Sequence, residues 1–140
     1  MKYWDSSALV VLHVDQAATA PVRDLFRSDP QILTWTLSEI EIRSALMRLA
    51  REGALGPGEL QEAIVRVDEF WQGVHVVSLV EAVKQRARRL LGVHPLKAAD
   101  SMQLAAALTA AYDDPRGQQF VCLDHTLSDA ARREGFAVLP

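Results

Sequence analysis

Four acidic residues, Asp5, Glu41, Asp100 and Asp124, lie far apart in this 140-residue sequence. Each falls where a predicted strand hands over to a helix or within the first turns of a helix, and in a parallel sheet those points share the edge where ligands bind. Carboxylates gathered there repel one another, and some stay protonated unless a divalent cation neutralises them. An oxygen donor set with no cysteine cluster and no clear histidine partner favours Mg²⁺, with Mn²⁺ as the alternative, over zinc. Asp100 stands out because the stretch Leu96-Lys97-Ala98-Ala99-Asp100-Ser101-Met102-Gln103-Leu104-Ala105-Ala106-Ala107-Leu108 is rich in Ala and Leu and apolar on nearly every side. That pattern predicts a buried helix running to about Tyr112. A carboxylate in its first turns needs hydrogen bonds, a cation or the helix dipole to compensate it.

Each acid also has a local explanation. Asp5 and Asp124 suit helix N-caps, and Ser38-Glu39-Ile40-Glu41 fits a capping box with Glu41 reaching back to its own helix start. Helical geometry does not choose whether Glu39 or Glu41 turns inward, because residues two apart point roughly 200° apart and the apolar stripe lies between them.

The elements that must position these residues alternate throughout. Residues 1–4, 32–35, 74–77, 119–123 and 136–139 read as short strands, rich in β-branched and aromatic residues. Helices are predicted from Ser6, at 16–28 with Val22, Leu25 and Phe26 inward, at 37–51, at 59–71, at 80–91, at 96–112 and at 126–134. Gly53 and Gly56-Pro57-Gly58 separate the third and fourth of these into a helical hairpin, and Gly135 stops the last. About five strands and about seven helices in alternation specify an α/β fold with a mainly parallel sheet, and no linker or repeat divides residues 1–140, so one domain is expected.

Composition bounds the function further. A net charge of −3 argues against a protein that holds nucleic acid by bulk electrostatics, but not against a metal-dependent nuclease with acids at its centre. The single cysteine, Cys122, allows no intramolecular disulfide and reads as a buried free thiol, which fits a cytoplasmic location. No segment approaches a membrane span, so no membrane association is expected.

The segments Trp4-Asp5-Ser6-Ser7-Ala8-Leu9, Glu41-Ile42-Arg43-Ser44-Ala45-Leu46, Leu96 to Ala105, and Leu123-Asp124-His125-Thr126-Leu127 followed by Ala130 to Gly135 resemble, in order, the four signature segments of PIN domains. They are most similar to the VapC-type toxins of type II toxin–antitoxin modules. The resemblance implies a three-layer α/β/α sandwich in which Asp5, Glu41, Asp100 and Asp124 form the catalytic metal site of a Mg²⁺-dependent endoribonuclease. It selects Glu41 over Glu39. It also implies a homodimer and a small cognate antitoxin whose tail lies across the active-site groove; the hairpin at 37–71, with exposed apolar candidates such as Leu55, is the place to seek the antitoxin contact. Two departures stand out: Gln103 occupies a position where family members often carry His, and His125, Thr126 and Asp129 all lie near the fourth acid, with Asp129 an alternative to Asp124.

Metal-bound carboxylates would acidify a water that attacks the scissile phosphate, leaving a 5′ phosphate and a 3′ hydroxyl. Ser6, Arg43, Lys97 and Arg88 are the candidate substrate contacts, within a wider basic set that includes Lys84, Arg86 and Arg89. Against these stand helix capping for Ser6 or Ser7 and a solvated helix face for the run from Lys84 to Arg89. Trp35 and Trp71 are read as base-stacking surfaces or, more simply, core. A phosphorylated receiver domain would want paired acids after the first strand and a Lys after the last; an acyl-phosphate phosphatase would want Asp where Ser7 stands. The remaining alternative is a PIN-fold RNA- or protein-binding module without nuclease activity.

Overall fold

Short strands punctuated by amphipathic helices fold as their periodicities predict. The computed structural model describes residues 1–15 and 19–140. The chain runs β1 (Lys2–Trp4), α1 (Ser6–Val10), α2 (Thr19–Ser28), β2 (Ile32–Trp35), α3 (Ser38–Arg51), α4 (Pro57–Trp71), β3 (His75–Val77), α5 (Val80–Val93), α6 (Ala98–Ala110), β4 (Gln119–Val121), α7 (His125–Glu134) and β5 (Ala137–Leu139). The predicted start of the second helix at residue 16 lies outside the described residues. Several boundaries move by one to two residues, among them the start of α6, because Lys97 is extended and serves as its N-cap, and the start of α7, which follows directly on its cap Asp124. Gly135, in the left-handed region at φ +107°, ends α7, and a Cβ there would meet Pro115 Cγ at 3.2 Å.

The sheet order is β3-β2-β1-β4-β5, and every pairing is parallel. The chain winds outward from β1 through β2 to β3, then crosses back to lay β4 on the other side of β1. The crevice between β1 and β4 is therefore the topological switch point. Asp5 follows β1 and Asp124 follows β4, so both acids are delivered to it.

Side chains alternate across the sheet and build a core on each face. Tyr3 and Phe120, stacked with ring centroids 5.2 Å apart, pack with Val83 and Leu90 of α5, Leu104 of α6 and Leu127 of α7. One residue further along their strands, Trp4 and Val121 point the other way, onto Leu9 of α1, Val22 of α2, Ile42 of α3 and Val67 of α4. The result is three layers, α/β/α. Each fully buried large apolar side chain contributes about 1.5–3 kcal/mol, which holds these short strands in register. Trp35 belongs to the core beneath α5 and α6, and Trp71 packs partly buried against the core on the other face. The expected burial of α6 holds past its first turn: Gln103 to Thr109 are buried, while Ala98 and Ala99 are exposed and Asp100 is half-buried. Among the described residues no helix is long and apolar enough to cross a membrane.

Candidate active site

Capping and site formation prove to be the same geometry at two of the four acids. Asp5 leaves β1 in an extended conformation and caps α1, its Oδ2 accepting from the Ser7 backbone N–H at 2.9 Å and from Ser7 Oγ at 2.5 Å. Asp124 caps α7 through Oδ1, which accepts from the Leu127 N–H at 2.7 Å. Each cap fixes one carboxylate oxygen and leaves the other without a protein donor among the described residues. Asp100 lies in the first turn of α6, where the helix N-terminus favours negative charge.

Glu41 does not close a capping box. Helix α3 starts at Ser38 behind Leu37, with no side-chain cap, because the Ser38 hydroxyl is engaged by Thr34 at 2.7 Å and Gln103 at 2.8 Å. Glu41 reaches across the layer instead, accepting from Ser6 Oγ at 2.7 Å and from Gln103 Nε2 at 3.0 Å. Glu39 turns the other way and pairs with Arg43 at 3.1 Å. Asp5, Glu41, Asp100 and Asp124 line one open cleft of about 630 Å³, together with Ser6, Ser44 and Arg48. Asp129 does not line it and pairs instead with Arg132.

The cleft is electrostatically unbalanced. Burial raises the Asp5 carboxyl above the usual carboxylate range; the two Ser7 donors oppose this, and Asp100 adds to it. Glu41 is raised by burial, with Asp5 and Asp100 adding repulsion against the donors Ser6 and Gln103. Asp100 is raised by burial and then by Asp124, with Lys97 pulling it down. Repulsion linking 5 to 100, 41 to both, and 100 to 124 shows four carboxylates within electrostatic reach. Cys122, behind Asp5 at 3.6 Å, is pushed up to about 12 by burial and by Asp5, so it is a neutral thiol that donates rather than a soft metal ligand.

This donor set fits a hard divalent cation. Its oxygens lack compensating positive charge, and Asp5 and Asp124 each present one uncommitted oxygen to the switch point. Among the described residues no three His, Cys, Asp or Glu side chains close into a ready-made cage. An open rim suits Mg²⁺, which keeps several waters and takes one or two carboxylates.

The family model of the PIN domain matches residues 2–113, a span that holds Asp5, Glu41 and Asp100. The chain belongs to the PIN-domain family. It is 33% identical over 138 residues to Ribonuclease VapC45 and to Ribonuclease VapC49, each from a strain of Mycobacterium tuberculosis, covering 99% of this chain and 94% of each relative. Its fold is similar to that in the crystal structure of FitAcB from Neisseria gonorrhoeae, with a TM-score of 0.65 at 15% identity, covering all of this chain and 97% of that one. The resemblance noted in the four signature segments thus extends along the whole chain.

The cations of this PIN domain divide into paired and unpaired. Arg43, expected near substrate, is held by Glu39 and Asp68 away from the cleft. Within the basic run, Lys84 pairs with Glu81, Arg86 with Asp113 and Arg89 with Glu134, which makes those three part of a salt-bridged face. Arg88 is exposed and does not line the cleft. Lys97 is exposed beside Asp100. Sequence reasoning missed Arg48, which lines the acidic cleft and forms no ion pair among the described residues. The signal was available: Glu41, Ser44, Ala45 and Arg48 are spaced to share one face of α3. Leu55 is half-buried rather than exposed, because it packs against the core; it lines a separate cavity of about 540 Å³ with Leu12, Val14 and Leu49.

Proposed function

We propose that this PIN domain is a Mg²⁺-dependent endoribonuclease, the toxin of a type II toxin–antitoxin pair that acts in the cytoplasm and is inhibited by its cognate antitoxin. The observation that carries the proposal is the uncompensated acidic cleft at the β1/β4 switch point, in a chain similar end to end to proteins named Ribonuclease VapC. Asp5, Glu41, Asp100 and Asp124 are assigned as metal ligands. A divalent ion held by them supplies charge neutralisation at the scissile phosphate and acidifies a water, with Mn²⁺ able to substitute.

The chain's own residues do the rest. Ser7 fixes Asp5, and Ser6 and Gln103 fix Glu41, so that the carboxylate planes are set before an ion arrives. Arg48 and Lys97 flank the acids and offer phosphate contacts that position RNA without reading its sequence. Ser6 lies close enough to the cleft to add a hydroxyl contact. The same reading carries a homodimer and places the antitoxin over the α3–α4 hairpin, beside the cavity lined by Leu55.

The test is incubation of purified protein with structured RNA in Mg²⁺, in chelator, and in chelator with Mg²⁺ restored. The expected result is cleavage only when the ion is present, leaving 5′ phosphate ends. Cleavage in chelator would overturn the metal mechanism, and RNA binding without cleavage would make this a binding module.

A further inference from the structure

We infer that a one-way chain of buried hydrogen bonds obliges the Gln103 amide to present a donor to Glu41, which makes Gln103 a positioning residue for that carboxylate. The inference rests on the metal-site reading above. Thr34, Ser38 and Gln103 are fully buried, so water cannot substitute for any link.

The direction follows from the one member that cannot reverse. The Trp4 carbonyl only accepts, so the Thr34 hydroxyl at 2.6 Å spends its single proton there. Thr34 Oγ1 therefore accepts from Ser38, 2.7 Å away. That spends the Ser38 proton, so the contact from Gln103 to Ser38 at 2.8 Å must be an N–H of the amide. With Nε2 so placed, its second N–H meets Glu41 Oε1 at 3.0 Å. At the other end, Gln103 Oε1 accepts from the Tyr3 hydroxyl at 2.8 Å, and burial keeps that phenol protonated. A flipped amide would set its oxygen against both Ser38 and the Glu41 carboxylate while turning its N–H groups toward Tyr3, replacing donor–acceptor contacts by repulsive ones in a dry site. Ser6 holds the second Glu41 oxygen, so the carboxylate plane is pinned by one donor per oxygen, and the remaining lone pairs are left for an ion.

The experiment is Mn²⁺ binding to the full chain by titration calorimetry near neutral pH, with thermal melting and RNA cleavage on the same samples. Gln103→Glu keeps the shape but replaces the donor by an acceptor, and Gln103→Met removes both. Each is expected to weaken Mn²⁺ binding by about tenfold or more. Tyr3→Phe removes the proton that fixes the amide carbonyl, at a residue that does not line the cleft, and is expected to weaken binding about threefold while still melting cooperatively. Should the Gln103 variants fail to fold, Tyr3→Phe and Thr34→Val carry the test. Mn²⁺ affinity within twofold of the parent in folded variants, whatever their melting temperatures, would overturn the inference. Parent protein that binds Mn²⁺ yet cuts no RNA would remove the nuclease reading while the affinity comparison still decides this one. Parent protein that binds no Mn²⁺ would overturn both.

Discussion

Helix α6 carries an acid near each end. At the first turn, Asp100 faces a cleft shared with three other carboxylates, and burial and Asp124 hold it above the usual carboxylate range. Just past the last turn, Asp113 accepts from both ends of the Arg86 guanidinium at 2.7 and 2.5 Å and is held below that range. Nearby, Glu134 is likewise lowered by Arg89 and His94. The α5–α7 surface is compensated, one arginine to each of these acids, whereas the switch-point cleft holds four acids against only Lys97 and Arg48, the latter without an ion pair among the described residues. Charge left unbalanced in a folded chain costs stability, so the cleft carries a cost that the opposite end of the same helix avoids. On the proposed function, a bound cation and a phosphate chain would offset that charge.

The largest way to break this comparison is to neutralise one acid of the cleft and one of the compensated surface. Asp5→Asn is expected to lower RNA cleavage by on the order of 10²–10³-fold in single-turnover assays, whereas Asp113→Asn leaves it unchanged. Equal loss from both would mean that the cleft is not special. A smaller effect is expected from Arg48→Ala, which removes the unpaired cation: KM for RNA rises about tenfold with kcat less affected, read from initial rates at several RNA concentrations.

The smallest effects concern stability, and the two ends should respond to pH with opposite sign. Arg86→Ala removes a surface pair worth at most about 1 kcal/mol. Because the folded-state pKa of Asp113 is lowered, that contribution is present above the ordinary carboxylate range and is lost as pH falls through the lowered value. Asp100 is raised in the folded state, so its penalty is full above the raised value and disappears as pH falls toward the ordinary range. Asp100→Asn should therefore stabilise the metal-free protein at neutral pH, by about 1 kcal/mol or less, and the gain should close on acidification. Urea melts in chelator at several pH values measure both slopes.

What was legible in the sequence was what is local. A short apolar run that ends in an acid before a helix places Asp5 and Asp124, and an apolar helix with one early carboxylate places Asp100, without any knowledge of packing. The alternation of strands and helices was enough for the parallel sheet, and the family resemblance supplied the three layers. Local grounds left a capping box open at Glu41; no such box forms, since Ser38 spends its proton on Thr34, a contact from β2 that no capping pattern records. The basic run looked available to RNA because its partners are distant in sequence: Asp113 is 27 residues from Arg86, and Glu134 is 45 from Arg89. Gln103 was noted as a departure from the family, but its role depends on Tyr3, 100 residues away. Arg48 was readable from its spacing to Glu41 and was overlooked in favour of Arg43, whose charge α4 absorbs through Asp68.

The most direct measurement of the central claim is anomalous diffraction from crystals soaked in Mn²⁺. The account predicts a peak in the β1/β4 cleft, at metal–oxygen bonding distance of about 2 Å from carboxylate oxygens of Asp5 and Asp100. An empty cleft, with Mn²⁺ bound instead at the paired acids Asp113 or Glu134, would contradict it.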